Sequence, residues 1–201
     1  MTALDSGLTL PPARPVSGSR APAWWGMLCL IATEATLFVL LIFSYFYLRW
    51  GSPNWPPQGT PRPEFTVIIP ATVLLLGSSA PVMWAETAIR RGRQNVLRLG
   101  LSVAWLMAAV FVILELWEWS HLGFGPQSSQ YASIFFTITG LHLAHVSIAL
   151  LMSAYIQLRA SRGHFDAQHF LAVENVALYW HFVDVVWIFV FATVYISPYV
   201  T

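Results

Sequence analysis

Five long apolar stretches constrain this chain more than any other feature of its sequence. A helix needs roughly 20 apolar residues to cross the hydrocarbon core of a membrane, because each residue advances about 1.5 Å along the axis. The sequence predicts five such helices, over residues 24–48, 65–89, 97–117, 131–158 and 172–197. The expected fold is therefore all-α. It is a membrane domain of five transmembrane helices over residues 23–201, preceded by a flexible tail over residues 1–22.

The composition indicates that the solvent of this chain is lipid. Hydrophobic residues make up 57% and charged residues 9%, whereas a soluble domain carries about 25% charged residues. The ten tryptophans, many of them near the ends of apolar stretches, are typical of rings anchored at the membrane interface. The chain has no lysine and no basic patch suited to nucleic acid. Its single cysteine, Cys29, excludes an internal disulfide.

Arginine placement gives the predicted bundle a direction. Positive side chains are concentrated on the cytoplasmic side of membrane proteins. Eight arginines fall on the side of the N-terminus, at positions 14, 20, 90, 91, 93, 98, 159 and 162. Only Arg49 and Arg62 fall on the other side. The sequence therefore predicts a cytoplasmic N-terminus and an outside C-terminus.

Prolines predict two local features. The connection over residues 51–63 holds five prolines, so we expect a stiff, extended surface loop. In the second helix, Pro70 and Pro81 flank the small residues 77–80. Prolines kink a helix and small residues allow a close approach between helices, so this helix is expected to bend and pack tightly.

Ionisable side chains at membrane depth are the candidate functional residues. They cost several kcal/mol each in lipid, so they usually face protein, water or a ligand. Three pairs share a helix face at a spacing of three residues: His142 with His145, His181 with Asp184, and Glu115 with Glu118. The candidate site residues are Glu34, Glu118, His142, His145, His181 and Asp184.

Three interpretations of these residues stay open from the sequence. Imidazoles and carboxylates can bond to one another and hold helices together. They can also form a proton path or a site for a lipid headgroup, and Glu34 fits this best because it has no partner in its own helix. Glu118 and His121 match the Glu-x-x-His pattern of membrane metal-carboxylate enzymes, although a second copy of the pattern is absent. A small transporter is a further possibility.

Several strings, in order along the chain, resemble one family. The string YWHFVDVVW over residues 179–187 is similar to the final-helix signature of cytochrome c oxidase subunit III. Weaker matches to the same family lie at residues 25–27, 32–34, 55–57 and 139–146, and at Glu118. Mitochondrial members have seven helices. Five helices therefore suggest the short bacterial form of this haem–copper oxidase subunit, which lacks the first two.

The resemblance implies a non-catalytic subunit of a proton-pumping terminal oxidase in a bacterial inner membrane. This chain would hold no haem, copper or other metal, since those belong to subunits I and II. It would pack on subunit I, bind phospholipid in a cleft near Glu34, and support proton uptake and turnover stability. The electron donor would be cytochrome c. Alternatives are subunit III of a quinol oxidase and the related accessory protein of nitric oxide reductase.

Overall fold

The computed structural model describes residues 22–200, which form six α-helices and two short terminal turns. The helices are α1 (Pro22–Trp50), α2 (Phe65–Gly77), α3 (Ser79–Ile89), α4 (Gln94–His121), α5 (Gln130–Ser161) and α6 (Leu171–Phe191). A π-helical turn (Ala192–Ile196) and a 3₁₀ turn (Ser197–Tyr199) follow α6. The tail expected over residues 1–22 lies outside the described residues, apart from Pro22.

Five spans in this described part are long and apolar enough to cross a membrane, which confirms the predicted fold class. The second span has the predicted bounds of Phe65–Ile89, whereas the other four are longer at both ends. Hydropathy falls where polar residues begin, but backbone hydrogen bonding continues into the interfacial region. The prediction from hydropathy therefore made four of the five helices too short at both ends.

The second span is broken at Ser78, which separates α2 from α3. Pro81 has no N–H to offer the carbonyl of Gly77, so the helical bonding pattern is interrupted here. The Ser78 hydroxyl donates to the carbonyl of Leu75 at 2.6 Å and accepts the indole N–H of Trp180 at 2.8 Å. The predicted bend is thus located at Ser78. Both Ser78 and Ser79 form hydrogen bonds with residues of α6.

Helices α3 and α4 approach each other closely at Gly100. A Cβ atom at this position would lie 2.7 Å from the carbonyl oxygen of Pro81 and 2.9 Å from the Cβ of Ala85. Ala104 and Ala108 continue the same buried face of α4. Small residues let helix backbones come together in lipid, so this seam fixes α3 against α4.

The two ends of the bundle differ. The amino-terminal rim comprises the start of α1, the turn 90–93 and the loop 162–170. The carboxy-terminal rim comprises the loops 51–64 and 122–129 and the turns after α6. Loop 51–64 is not only a surface loop, because Trp55 is buried and donates its indole N–H to the Tyr45 hydroxyl at 2.9 Å.

Helix α1 is the least covered span of the bundle. Only Phe38 and Tyr45 are buried within it. It contacts α5 and α6 along one side, and large apolar residues cover its outward side. Arg49, near its end, donates to the backbone carbonyls of Ser197 and Val200 and thereby ties α1 to the end of the chain.

Candidate functional site: polar clusters within the bundle

The first polar cluster joins Glu34 of α1 to His145 of α5. Glu34 Oε2 lies 2.9 Å from His145 Nε2. The Glu34 side chain is 28% exposed, whereas the His145 side chain is 8% exposed. Phe38, one turn along α1, packs edge-on against the imidazole at 5.0 Å between ring centroids. The carboxylate that lacked a partner in its own helix therefore has one on a neighbouring helix.

The hydrogen bonds of His145 determine how many protons this cluster holds. His145 Nδ1 lies 2.6 Å from the carbonyl oxygen of Leu141. A carbonyl can only accept, so Nδ1 carries a hydrogen. The contact with Glu34 then needs one more proton, held either by Nε2 of an imidazolium or by the Glu34 carboxyl. One proton therefore lies between Glu34 and His145 in this geometry.

The second cluster surrounds the break between α2 and α3. The Ser79 hydroxyl donates to Asp184 Oδ2 of α6 and lies 2.9 Å from His181 Nδ1. Because Ser79 has one hydrogen, which goes to the carboxylate, it accepts the N–H of His181. Asp184 is buried, and its Oδ1 has no hydrogen-bond partner among the described residues.

His181 also lines a cavity at the amino-terminal rim. This cavity has a volume of about 510 Å³ and is lined by Trp24, Glu86, Arg90, Leu171, Glu174, Leu178 and His181. Arg90 donates to Glu86 at 2.7 Å and to Glu174 at 2.5 Å. Its guanidinium lies 5.1 Å from the ring centroid of Phe170. The cavity is thus a polar recess, and His181 connects it with Ser79 and Asp184.

His142 occupies an aromatic pocket in the centre of the bundle. Its Nε2 lies 3.2 Å from the carbonyl of Val183, so Nε2 carries a hydrogen and donates it. The imidazole packs on Trp187 at 4.6 Å and lies edge-on to Phe111 at 6.1 Å between centroids. His142 Nδ1 is buried and has no hydrogen-bond partner within the described part of the chain. These contacts fit a residue that joins α5 to α6 through packing and one hydrogen bond.

The third cluster lies near the carboxy-terminal rim. Glu115 and Glu118 are both buried on the same face of α4. The Tyr195 hydroxyl lies 2.9 Å from Glu118 Oε2 and 3.4 Å from Glu115 Oε1. Tyr195 belongs to the π-helical turn after α6, and such turns change the direction in which a side chain points.

The structure gives the sequence-predicted histidines and Asp184 hydrogen-bond partners on other helices. His142 and His145 do not bond to each other, since one binds Val183 and the other Glu34. His181 and Asp184 meet through Ser79 rather than directly. The partners lie on other helices because side chains three residues apart lie side by side on the helix surface and point away from the axis.

The Glu-x-x-His pattern does not converge on a metal site. Glu118 turns inward to Tyr195, whereas His121 is exposed and bonds to the carbonyl of Trp117 at 2.8 Å. Among residues 22–200, no three His, Cys, Asp or Glu side chains are grouped so that they could hold a metal ion.

Ser79 and Tyr195 are the two residues of these clusters that sequence reasoning missed. Ser79 carried a usable signal, because a hydroxyl beside a helix break in a membrane span has to find a partner. Tyr195 carried none. Its direction depends on the π-helical turn, which no pattern in the sequence indicates.

Comparisons with known proteins agree with the string in α6. The sequence profile of the family described as Cytochrome c oxidase subunit III matches residues 19–199. The chain is 33% identical over 174 residues to Cytochrome c oxidase subunit 3 of Thermostichus vulcanus, covering 85% of each chain. It is 34% identical over 177 residues to the Pisaster ochraceus protein of the same name, covering 85% of this chain and 68% of the relative. The chain belongs to the cytochrome c oxidase subunit III family.

Proposed function

We propose that this chain is a subunit without a catalytic centre that sustains the turnover of a proton-pumping cytochrome c oxidase. Family membership makes it one part of an oxidase complex with other subunits. In our proposal haem and copper belong to subunits I and II, and this chain packs on subunit I. The observation that carries the proposal is the Glu34–His145 pair, a proton-sharing pair on the least covered helix of the bundle.

The position of this pair supports a role in proton uptake rather than in packing alone. A pair that only held helices together would be expected in the centre of the bundle, where His142 lies. Glu34 instead keeps 28% of its side chain exposed on the least covered helix of the bundle. A partly exposed pair that shares one proton can exchange it with a lipid headgroup, with water or with a neighbouring subunit.

Phospholipid binding along α1 is the second part of the proposal. Large apolar residues cover the outward side of this helix. At the carboxy-terminal rim they border an apolar cavity of about 730 Å³, which includes Phe43, Phe46 and Trp50. Acyl chains of a phospholipid fit this apolar surface and the cavity that it borders.

We place the complex in a bacterial cell membrane, with the N-terminus in the cytoplasm. The arginine distribution supports this orientation, since the amino-terminal rim carries most of the positive charge. Residues 1–22 are then a cytoplasmic tail. The relatives that resemble the chain are named cytochrome c oxidase, which favours cytochrome c over quinol as the electron donor of the complex.

Purification of the complex from its native membranes tests the assignment. We expect this chain to copurify with a haem-containing subunit I and with a subunit II that binds copper. The complex should oxidise reduced cytochrome c. Removal of this chain with a mild detergent should leave the haem spectrum unchanged but shorten the time for which the enzyme turns over. Loss of haem with the chain, or unchanged inactivation without it, would contradict the proposal.

A further inference from the structure

The carboxyl pair near the carboxy-terminal rim has an unbalanced charge. Glu115 is 1% exposed and Glu118 is 6% exposed, and they lie one turn apart on α4. In the described part of the chain, neither forms an ion pair with arginine or histidine. Two buried carboxylates without a cation would repel each other and would lose their hydration without compensation.

Tyr195 can stabilise only one of these two carboxylates. Its hydroxyl is within reach of both, at 2.9 Å from Glu118 and 3.4 Å from Glu115, but it has one hydrogen to donate. Among residues 22–200, the second oxygen of each carboxyl, Oε2 of Glu115 and Oε1 of Glu118, is buried without a hydrogen-bond partner. The indole N–H of Trp119 also interacts with Glu115, but Trp119 Nε1 forms no hydrogen bond of normal geometry within the same residues. Tyr195 therefore satisfies one negative charge and leaves the other only weakly supported.

We propose that Glu115 holds a proton and forms a relay with Tyr195 and Glu118. In this arrangement the protonated Glu115 donates to the oxygen of Tyr195, and Tyr195 donates to the Glu118 carboxylate. Glu115 is the protonated member because it is the more deeply buried and the more distant from the phenol. The shorter contact, at 2.9 Å, belongs to the carboxylate, as expected for a hydrogen bond to a charged acceptor.

A cavity gives this relay access to the rim. Glu118 lines a recess of about 500 Å³ together with Arg62, Glu64 and His121. The buried Tyr131 of α5 is the other titratable group that interacts with Glu118. Glu118 can thus exchange a proton with water in the cavity, whereas the more deeply buried Glu115 is connected to Glu118 through the Tyr195 hydroxyl. The site is separate from the Glu34–His145 pair, and it holds whether or not the proposed role in proton uptake is correct.

Infrared spectroscopy of the purified complex tests this proposal. A protonated carboxyl has a C=O stretching band that a carboxylate lacks, and the band shifts when exchangeable hydrogen is replaced by deuterium. In the difference between wild type and Glu115→Gln we expect the loss of one such band. Glu118→Gln should keep it, since Glu115 stays protonated. Glu64→Gln, which changes an exposed carboxyl of the same cavity, is the matched control and should also keep it.

The variant Tyr195→Phe tests the proposed relay independently. Without the phenol, the Glu118 carboxylate loses its donor and should take up a proton, so a second protonated-carboxyl band should appear. That band should be absent from the double variant Tyr195→Phe/Glu118→Gln. As a control for assembly, each variant of this chain should copurify with the other subunits of the complex.

Two results would overturn the proposal. If Glu115→Gln loses no protonated-carboxyl band, Glu115 is a carboxylate. If the carboxylate bands of wild type respond to added Ca²⁺ or to its removal by a chelator, and both single variants abolish this response, a cation rather than a proton neutralises the pair.

Discussion

His145 Nε2 lies 2.9 Å from Glu34 Oε2, although the two residues are 111 positions apart in the chain. The contact joins α1 to α5, and it is the only direct contact between a carboxyl and an imidazole of different helices among residues 22–200. The carbonyl of Leu141 fixes the hydrogen on His145 Nδ1, so the pair shares one proton.

Loss of the Glu34 carboxyl should shorten the working life of the oxidase. We expect Glu34→Gln and Glu34→Ala to assemble normally but to inactivate several-fold faster during turnover, because neither side chain can exchange the shared proton. His145→Gln should have the same effect, and the double variant should be no worse than either single one, since all remove one unit. The measurement is oxygen consumption against time. Glu64→Gln, an exposed carboxyl in loop 51–64, is the control.

If the Glu34→Gln variant inactivates during turnover at the same rate as wild type, a role of Glu34 in proton exchange is contradicted. Additive effects of the Glu34 and His145 changes would show that the two residues act separately.

Ser79→Ala should destabilise the chain. The substitution removes the partner of His181 Nδ1 and the hydrogen bond that Asp184 accepts from the Ser79 hydroxyl, while Asp184 stays buried. Leaving such groups unsatisfied costs about 1–3 kcal/mol. The loss of stability would be measured as a lower thermal midpoint of the complex, with proteolysis of this chain as the signal for unfolding. Ser44→Ala is the control, since the exposed Ser44 bonds only to the carbonyl of Leu40 in its own helix. Equal midpoints for the two variants would refute this assignment.

Gly100→Ala should disturb the seam between α3 and α4. The added methyl group would meet the backbone carbonyl of Pro81 at 2.7 Å, and a backbone atom beside a helix break cannot move without shifting α3. Overpacking of this kind costs about 1–3 kcal/mol. Gly26→Ala is the matched control, because among the described residues nothing beyond its chain neighbours and the adjoining backbone of α1 lies within 4 Å of its added Cβ. We expect a lower thermal midpoint for Gly100→Ala and a wild-type midpoint for Gly26→Ala; the same midpoint in both would show that the helices adjust freely.

The orientation of the bundle can be tested with single cysteines. Gln58 in loop 51–64 and Arg91 in the turn after α3 are both exposed, on opposite rims. In a Cys29→Ser background, a thiol reagent that does not cross membranes should label Gln58→Cys in intact cells. It should label Arg91→Cys only after the membrane is opened, because the arginine-rich rim faces the cytoplasm. The reverse pattern would place the N-terminus outside.

The sequence by itself determined the fold class and the candidate residues. Lipid forces every backbone group to bond within its own segment, so apolar stretches of sufficient length must be helices, and five of them were found where hydropathy predicted. The same physics made Glu34, His142, His145, His181, Asp184 and Glu118 stand out, since ionisable groups are rare at membrane depth. The string in α6 then indicated the family.

Only the tertiary structure decided which of these residues meet. Glu34 contacts His145 because α1 packs on α5, and Ser79 reaches both His181 and Asp184 because the span breaks at Ser78. Tyr195 faces Glu115 and Glu118 because a π-helical turn redirects it. Spacing along one helix shows which side chains share a face, but the partner of a buried polar group is set by the neighbouring helix, which depends on packing across the whole bundle.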